Sequence, residues 1–540
     1  MANIIFITQA VDQSDPVLAT TVRWLEELAK QPTLDKITVL TLRQGRFSLP
    51  AKVEVITFKK AGPLPSLVSF YRQVWRRLKE TDFFFIHMGG PYPFLLLPFR
   101  LFWGKPIYQW KTHTYVSSIM KFYALVCDTK IFTATPHSFP MKLKKVKPIG
   151  HGVDTELFNI KNIAKDREIV AVGRVTPVKH LEKTLKILGD YHLDNYGPTF
   201  SSDLPYRQKL GNRINFQEPV LQTALPDILN RYRCSISFNA GGLDKAVVEA
   251  MACGLPVLTD NVCVADILPP QLRELLILPE DDIKQQRLMI EKIMGLPDEE
   301  LRRLGRELRQ IVVANHSVEG LIKKIMTEIF PRVVVAFHEV SDRNLFQKRL
   351  LWLKKNQPNL LVTFDDGYGN WLENAVPVLE ELKTPAIFFV CSGWLGLEEK
   401  AGTEFRQKNL LRQTPLAPLS ITQLKALAAH PLFEIGSHTV HHLDLGQDWP
   451  EEVLEKEISG DKIALEEIIG QPVRWFAYPF GRSHNISSAA TVAVKKAGFQ
   501  GAFTFMPGYW QSDGDQFLIG RYGFDINRPL WQWRLRLLRR

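Results

Sequence analysis

At 540 residues the chain is too long for one hydrophobic core, and about two to four domains are expected. Its 45% apolar and 23% charged residues are those of an ordinary soluble globular protein, with no repeat or low-complexity tract. The net charge of +11 suits an anionic partner, but no Lys/Arg-rich tract carries a nucleic-acid motif, so anionic lipid or a phosphorylated substrate ranks ahead of nucleic acid.

The five cysteines, Cys127, Cys234, Cys253, Cys263 and Cys391, are odd in number and lack CxxC spacing. They read as free thiols in a reducing compartment. The first residues enter a strand with no charged n-region or cleavage site, so a cytoplasmic location is expected. Residues 83–103 are strongly apolar but are interrupted by His87, Gly89, Gly90, Pro91, Pro93, Pro98 and Arg100, which excludes them as a membrane span.

Strands are predicted at residues 4–7, 36–42, 53–58, 83–88 and 106–110, with helical spacing over 18–28. Such alternation predicts a doubly wound parallel sheet. Ligands bind beyond the C-terminal ends of parallel strands, which makes His87 and His113 acceptor-side candidates. A strand at 131–134 continues the pattern, and residues 148–154 form a glycine-bearing crossing into a second sheet.

The second sheet opens at residues 169–172, followed by Gly173-Arg174 and, at a helix start, Lys179. Two cations beside helix amides suit a diphosphate. A strand at 234–238 leads through a glycine loop with Asp244-Lys245 into a helix carrying Glu249, then Gly254-Leu255-Pro256. Charged helical segments at 285–330 end this half. Pro331-Arg332 leads at once into a further strand, so the linker is short.

In Leu361-Val362-Thr363-Phe364-Asp365-Asp366-Gly367 a buried strand ends in adjacent carboxylates, which repel unless a cation or proton lies between them. A second strand at 433–437 precedes His438-Thr439-Val440-His441-His442. On a helical turn His438 and His442 would share one face. One Asp and two His with open positions make a hydrolytic metal site of the zinc type. A third motif is Arg474-Trp475-Phe476-Ala477-Tyr478-Pro479-Phe480-Gly481.

These last three motifs, in this order, resemble the NodB-homology polysaccharide deacetylases (carbohydrate esterase family four) over roughly residues 331–540. Residues 1–325 resemble a retaining, family-four-like glycosyltransferase of the GT-B type. The resemblance implies an α/β chain with two Rossmann-like domains, acceptor-side at 1–155 and nucleotide-sugar-binding at 156–328. A deacetylase domain at 331–540 would follow, a distorted (β/α) barrel of fewer than eight units.

By resemblance, Asp366, His438 and His442 hold a divalent metal, zinc foremost, and Asp365 is the general base. The backbone N–H of Phe480 meets the oxyanion, and His441 is the competing ligand. Two departures stand out. The arginine usual two residues before the third motif's proline is Ala477, and Arg521 is the replacement for orienting Asp365. The late Leu-x-His acid is missing, since no His follows His484. Circularly permuted members carry that acid on the strand before the Asp pair, where this chain has His338.

In the transferase half, Glu249 would bind ribose hydroxyls, and Arg174 and Lys179 the pyrophosphate of a UDP-linked sugar. The loop from Gly241 to Lys245 would touch the donor sugar. Many members carry a second Glu where this chain has Gly241. The reading is a bifunctional cytoplasmic enzyme of bacterial cell-surface glycan synthesis, transferring a sugar to a lipid-linked or oligosaccharide acceptor and deacetylating an acetamido sugar. The alternative is a deacetylase with a degenerate, glycan-binding transferase half. Basic aromatic stretches at 71–79, 100–105 and 531–540 fit peripheral contact with an anionic inner membrane.

Overall fold

Buried apolar strands dictate the first sheet. In the computed structural model it consists of β1 (Ala2–Val11), β2 (Leu34–Gln44), β3 (Val53–Thr57), β4 (Phe83–His87), β5 (Ile107–Trp110), β6 (Lys130–Thr133) and β7 (Val146–Pro148). The order is β3-β2-β1-β4-β5-β6-β7, and every pairing is parallel. All of β4 is buried, as a strand covered on both faces must be. The structure describes residues 2–15, 18–239, 241–410, 416–510 and 514–538.

A second parallel sheet holds β8 (Arg167–Val172), β9 (Leu193–Tyr196), β10 (Ile214–Gln217), β11 (Tyr232–Ser237) and β12 (Val257–Thr259), in the order β10-β9-β8-β11-β12. Strand order reverses between β8 and β11, and a ligand crevice opens at such a switch point. The long helix Asp298–His316 returns to the crossing between the sheets, where His316 C=O accepts from Gly152 N at 3.1 Å and Val153 N at 2.7 Å. Both sheets belong to one compact unit, Met1–Met326. The apolar stretch at 83–103 folds as β4 and the helix Tyr92–Trp103. No helix among the described residues is long and apolar enough to cross a membrane.

The second unit, Thr327–Arg540, is a curled sheet. Its strands are β13 (Arg332–Phe337), β14 (Leu360–Phe364), β15 (Ala386–Val390), β16 (Phe433–Ser437), β17 (Trp475–Ala477), β18 (Gly501–Phe503), β19 (Tyr509–Trp510) and β20 (Tyr522–Gly523). The order is β18-β17-β16-β15-β14-β13, all parallel, with β19 antiparallel and β20 parallel on β13. The stretch before β20 also reaches β18: Ile519 N donates to Ala502 O at 2.9 Å, and Thr504 N to Ile519 O at 2.8 Å. That stretch spans β18 and β13 and closes the sheet into an irregular barrel.

Strand alternation sets two apolar layers. Val333, Val335, Val362 and Phe364 face the helices, whereas Val334, Leu361, Ile387 and Phe503 fill the barrel interior. Thr363 and Asp365 continue the interior face of Leu361. The next residue would point outward, but Asp366 takes φ 88°, which redirects the chain. The predicted helical turn at 438–442 does not form. The segment is an irregular loop in which Thr439 (φ 64°) and His442 (φ 55°) are left-handed, and this conformation, not helical spacing, brings the two imidazoles together.

Candidate active sites

A cleft of about 480 Å³ in the second unit is lined by His338, Asp365, Asp366, His438, His442 and Phe480, together with Asp444, Arg482 and His484. The ligand atoms of Asp366, His438 and His442 lie within 4.8 Å of one another, and all three residues are buried. Each imidazole Nε2 is 3.5 Å from Asp366 Oδ1. His438 Nδ1 donates to Ala477 O at 2.7 Å and His442 Nδ1 to Asn409 O at 3.1 Å. A neutral ring that donates through Nδ1 keeps its Nε2 lone pair for a cation. Asp366 Oδ1 is buried without a hydrogen-bond donor, so this donor set fits a divalent ion. Burial opposes the Asp366 charge, yet His338, His438 and His442 outweigh it and hold the carboxyl well below its usual range. Burial pushes His442 down to about 4.

Asp365 is gripped by Arg521 from the closing segment, Nη1 to Oδ1 at 2.6 Å and Nη2 to Oδ2 at 2.8 Å. Arg521 is fully buried, also donates to Thr363 Oγ1 and Thr504 O, and lies over the rings of Phe389 and Phe505. His338 reaches the cleft from the end of β13, its ring 5.6 Å from Phe505. Phe480 lies over His442 at 4.6 Å and has φ 59°. Of the eight non-glycine residues with positive φ among the described residues, four lie in this site's loops: Asp366, Thr439, His442 and Phe480. Strain concentrated this way is held by the surrounding structure.

The competing imidazole, His441, points elsewhere: its Nδ1 is 2.7 Å from Glu457 Oε1. Sequence reasoning missed what anchors this loop. On the helix Glu451–Ile469, Asp461 accepts from Ser437 Oγ at 2.6 Å, His438 N at 3.1 Å and Ser392 N at 2.8 Å, while Glu457 accepts from His441 N at 2.9 Å. Burial lifts the Asp461 carboxyl above its ordinary range despite these bonds. A signal was present. Glu457 and Asp461 fall on the helix's buried stripe with Leu454, Ile458 and Leu465, where unpartnered carboxylates are costly.

The first unit has a cavity of about 520 Å³ at the C-terminal ends of β8 and β11, also lined by Gln13, Ser14 and Thr20 from the loop after β1 and the start of the helix Thr20–Ala29. Gly173, Arg174, Lys179, Asp244, Lys245 and Glu249 all line it. Its charges are largely paired with one another. Lys179 Nζ contacts Asp244, which also caps the helix Lys245–Ala252, and Lys245 Nζ lies 2.6 Å from Glu249 Oε1. Gln222 Nε2 donates to Glu249 at 2.9 Å. Arg174 is exposed, 5.8 Å from the Phe200 ring. Gly173 takes φ 142°, a conformation that favours glycine, and Lys179 Cε folds over the strand end 2.9 Å from where a Cβ would stand. Asn261, not anticipated, donates to the carbonyls of Asn239, Gly241 and Gly242 and sets the loop's shape.

Neither acceptor-side candidate lines the cavity, and the two differ in exposure. His113 is exposed, and its backbone N lies 3.6 Å from where a Cβ on Gly242 would stand. The expectation that His87 meets substrate is corrected by its burial: it is 3% exposed, with its ring 4.6 Å from Trp24, and burial lowers it to about 3.

Residues 174–327 match the family described as glycosyl transferase-like, and residues 353–502 match the polysaccharide deacetylase family. The chain carries both domains. His338 and Arg521 lie outside the deacetylase match. That domain is similar to the poly-beta-1,6-N-acetyl-D-glucosamine N-deacetylase of Staphylococcus epidermidis, 27% identical over 190 residues, which are 34% of this chain and 58% of that protein. The chain spans little more than half the length of the curated relatives it matches, 52% and 58%. Among solved structures, IcaB from Ammonifex degensii matches 38% of this chain and 95% of its own at 22% identity and TM-score 0.30. The crystal structure of Anabaena Alr3699/HepE in complex with UDP-glucose matches 61% of this chain and 99% of its own, at 14% identity and TM-score 0.50. That likeness establishes the glycosyltransferase-like fold of the first unit.

Proposed function

We propose that the chain is a bifunctional enzyme of bacterial cell-surface glycan synthesis, with sugar transfer in the first unit and N-deacetylation of an acetamido sugar in the second. The observation that carries this reading is the buried Asp365–Arg521 pair beside the converging Asp366, His438 and His442. A divalent cation held by those three residues, zinc in our reading, would supply Lewis acidity toward the amide and its attacking water. Asp365, oriented by Arg521, takes the water's proton. The Phe480 backbone N–H donates to the developing oxyanion. His338 returns a proton to the leaving amine nitrogen.

In the first unit, Arg174 and Lys179 meet the diphosphate of a UDP-linked sugar, Glu249 its ribose, and Asp244 and Lys245 the sugar. The acceptor is lipid-linked, an N-acetylhexosamine is added, and the deacetylase acts on that residue at the inner face of the plasma membrane. The domain bounds 1–155, 156–328 and 331–540 are part of this reading.

The test is acetate release from an acetamido glycan by the full chain, after chelation and after restoring zinc. Asp365→Asn should keep zinc and lose turnover by about 10²–10⁴-fold. Asp366→Asn should lose zinc. Equal zinc loss in both overturns the assignment of the pair. The second reading, a glycan-binding first unit without transfer, is favoured by Gly241 and by the internal pairing of Lys179 and Glu249. UDP release from a UDP-sugar that persists in the full chain but vanishes in Arg174→Ala would reject it.

A further inference from the structure

The first unit carries an apolar surface that neither its core nor its cavity uses. Consecutive helical segments build it: Pro63–Arg77, Tyr92–Trp103, and Ser118–Phe122 running into Tyr123–Cys127. The middle helix is apolar on both sides. Leu96 and Phe99 pack into the core, whereas Phe94, Leu101 and Phe102 stand 52%, 67% and 78% exposed. A surface helix of a globular protein ordinarily buries one apolar stripe and turns a polar one outward.

The exposed groups adjoin one another. The Trp75 ring is 5.2 Å from Trp103, and Phe94 is 6.3 Å from Phe122. Arg100 ties the third segment to the second by donating to the carbonyls of Val126 and Cys127, each at 2.7 Å. Ile119 and Leu125, 62% and 56% exposed, extend the surface. A contiguous apolar patch of this kind marks a partner surface.

Charge selects the partner. Residues 63–126 hold eight Lys/Arg and two acids, Glu80 and Asp82, a net +6 of the chain's +11. Arg72, Arg76 and Lys121 are exposed in the same segments, and Lys79 just beyond the first of them. A symmetric dimer through this face would set like charges against each other, whereas an anionic bilayer attracts all of them. Tryptophan and phenylalanine beside lysine and arginine form the composition that seats at the headgroup level.

We propose that this three-segment face docks on anionic phospholipid, with Phe94, Leu101, Phe102 and Trp103 entering the headgroup layer and Arg72, Arg76, Lys79 and Lys121 meeting lipid phosphates. The proposal deepens the reading of a lipid-linked acceptor and is tested apart from it. The full chain is co-sedimented with vesicles of phosphatidylcholine alone and of phosphatidylcholine mixed with phosphatidylglycerol, at low and high salt. Binding should require phosphatidylglycerol and weaken with salt. Arg72→Gln with Arg76→Gln should weaken it by roughly 25-fold, about five-fold per cation. Leu101→Ser with Phe102→Ser should weaken it at least as much. Both side chains stand clear of the core, so an unchanged unfolding transition should accompany the loss.

Equal binding of wild type and both double variants overturns the proposal, as does a lipid-free dimer that Leu101→Ser with Phe102→Ser dissolves. Arg174-dependent UDP release from a UDP-sugar, measured without vesicles, separates the two readings. Vesicle binding without that release would leave the docking face standing and remove the transferase, and release without vesicle binding would do the reverse.

Discussion

The two sites handle charge in opposite ways. In the second unit the charged groups are sealed in: the Asp365 and Arg521 side chains are 1% and 0% exposed, and Asp366, His438 and His442 are each buried. Their positions are fixed by the closing segment, by Asp461 and Glu457 behind the loop, and by the left-handed backbone of Asp366, Thr439, His442 and Phe480. In the first unit the paired groups line the cavity wall: Lys179, Asp244 and Lys245 are partly exposed, Glu249 is buried, and each cation neutralises a carboxylate beside it. The first arrangement is preorganised for a small reacting group. The second holds its charges in pairs at the cavity wall, where an anionic ligand can take the place of the carboxylates.

The largest effect expected from breaking this contrast is at Arg521. Arg521→Met leaves Asp365 buried and unpaired, which should destabilise the second unit by about 3–5 kcal/mol, read as a lowered midpoint in urea unfolding. A shift no larger than that of a surface substitution would mean the pair is not sealed.

Next comes acid sensitivity of the first unit. Burial lowers both His87 and His316 to about 3. A histidine kept neutral in the fold but protonated near pH 6.5 when unfolded leaves stability intact above that value and removes it as pH falls toward the folded pKa. Between pH 7 and pH 5 each should remove on the order of 2 kcal/mol. His87→Phe should shrink that loss by its share in unfolding curves at the two pH values. An unchanged pH dependence would argue that His87 is hydrated and faces substrate after all.

Asp461→Asn keeps the shape of its side chain but weakens two hydrogen bonds to the segment that carries His438, from Ser437 and His438, and one from Ser392. Zinc affinity should fall about 10–100-fold, measured by competition with a chelator, while the unit stays folded. Unaltered affinity would make Asp461 merely structural. The smallest effect belongs to the first unit: Lys179→Met should change stability by no more than about 1 kcal/mol. It should nonetheless weaken UDP-sugar binding, measured calorimetrically. A destabilisation like that of Arg521→Met would erase the contrast between the sites.

What could be read from the sequence was local. Strands β1, β4, β8 and β14 follow from apolar runs bounded by polar or glycine residues, because burial on both faces leaves that imprint in a few consecutive positions. The Asp365–Asp366 pair was legible for the same reason: two adjacent carboxylates at the end of a buried strand demand a partner wherever they fold.

The partners themselves were decided by tertiary structure. Arg521 lies 156 residues from Asp365 and meets it because the closing segment enters the barrel between β18 and β13. Asp461 reaches the His438 loop only because its helix packs behind β16. His87 shows the converse, since a histidine ending a strand reads alike whether the next layer is solvent or Trp24. Local pattern encodes periodicity and burial, whereas the identity of a buried polar group's partner depends on which distant segments the chain brings together.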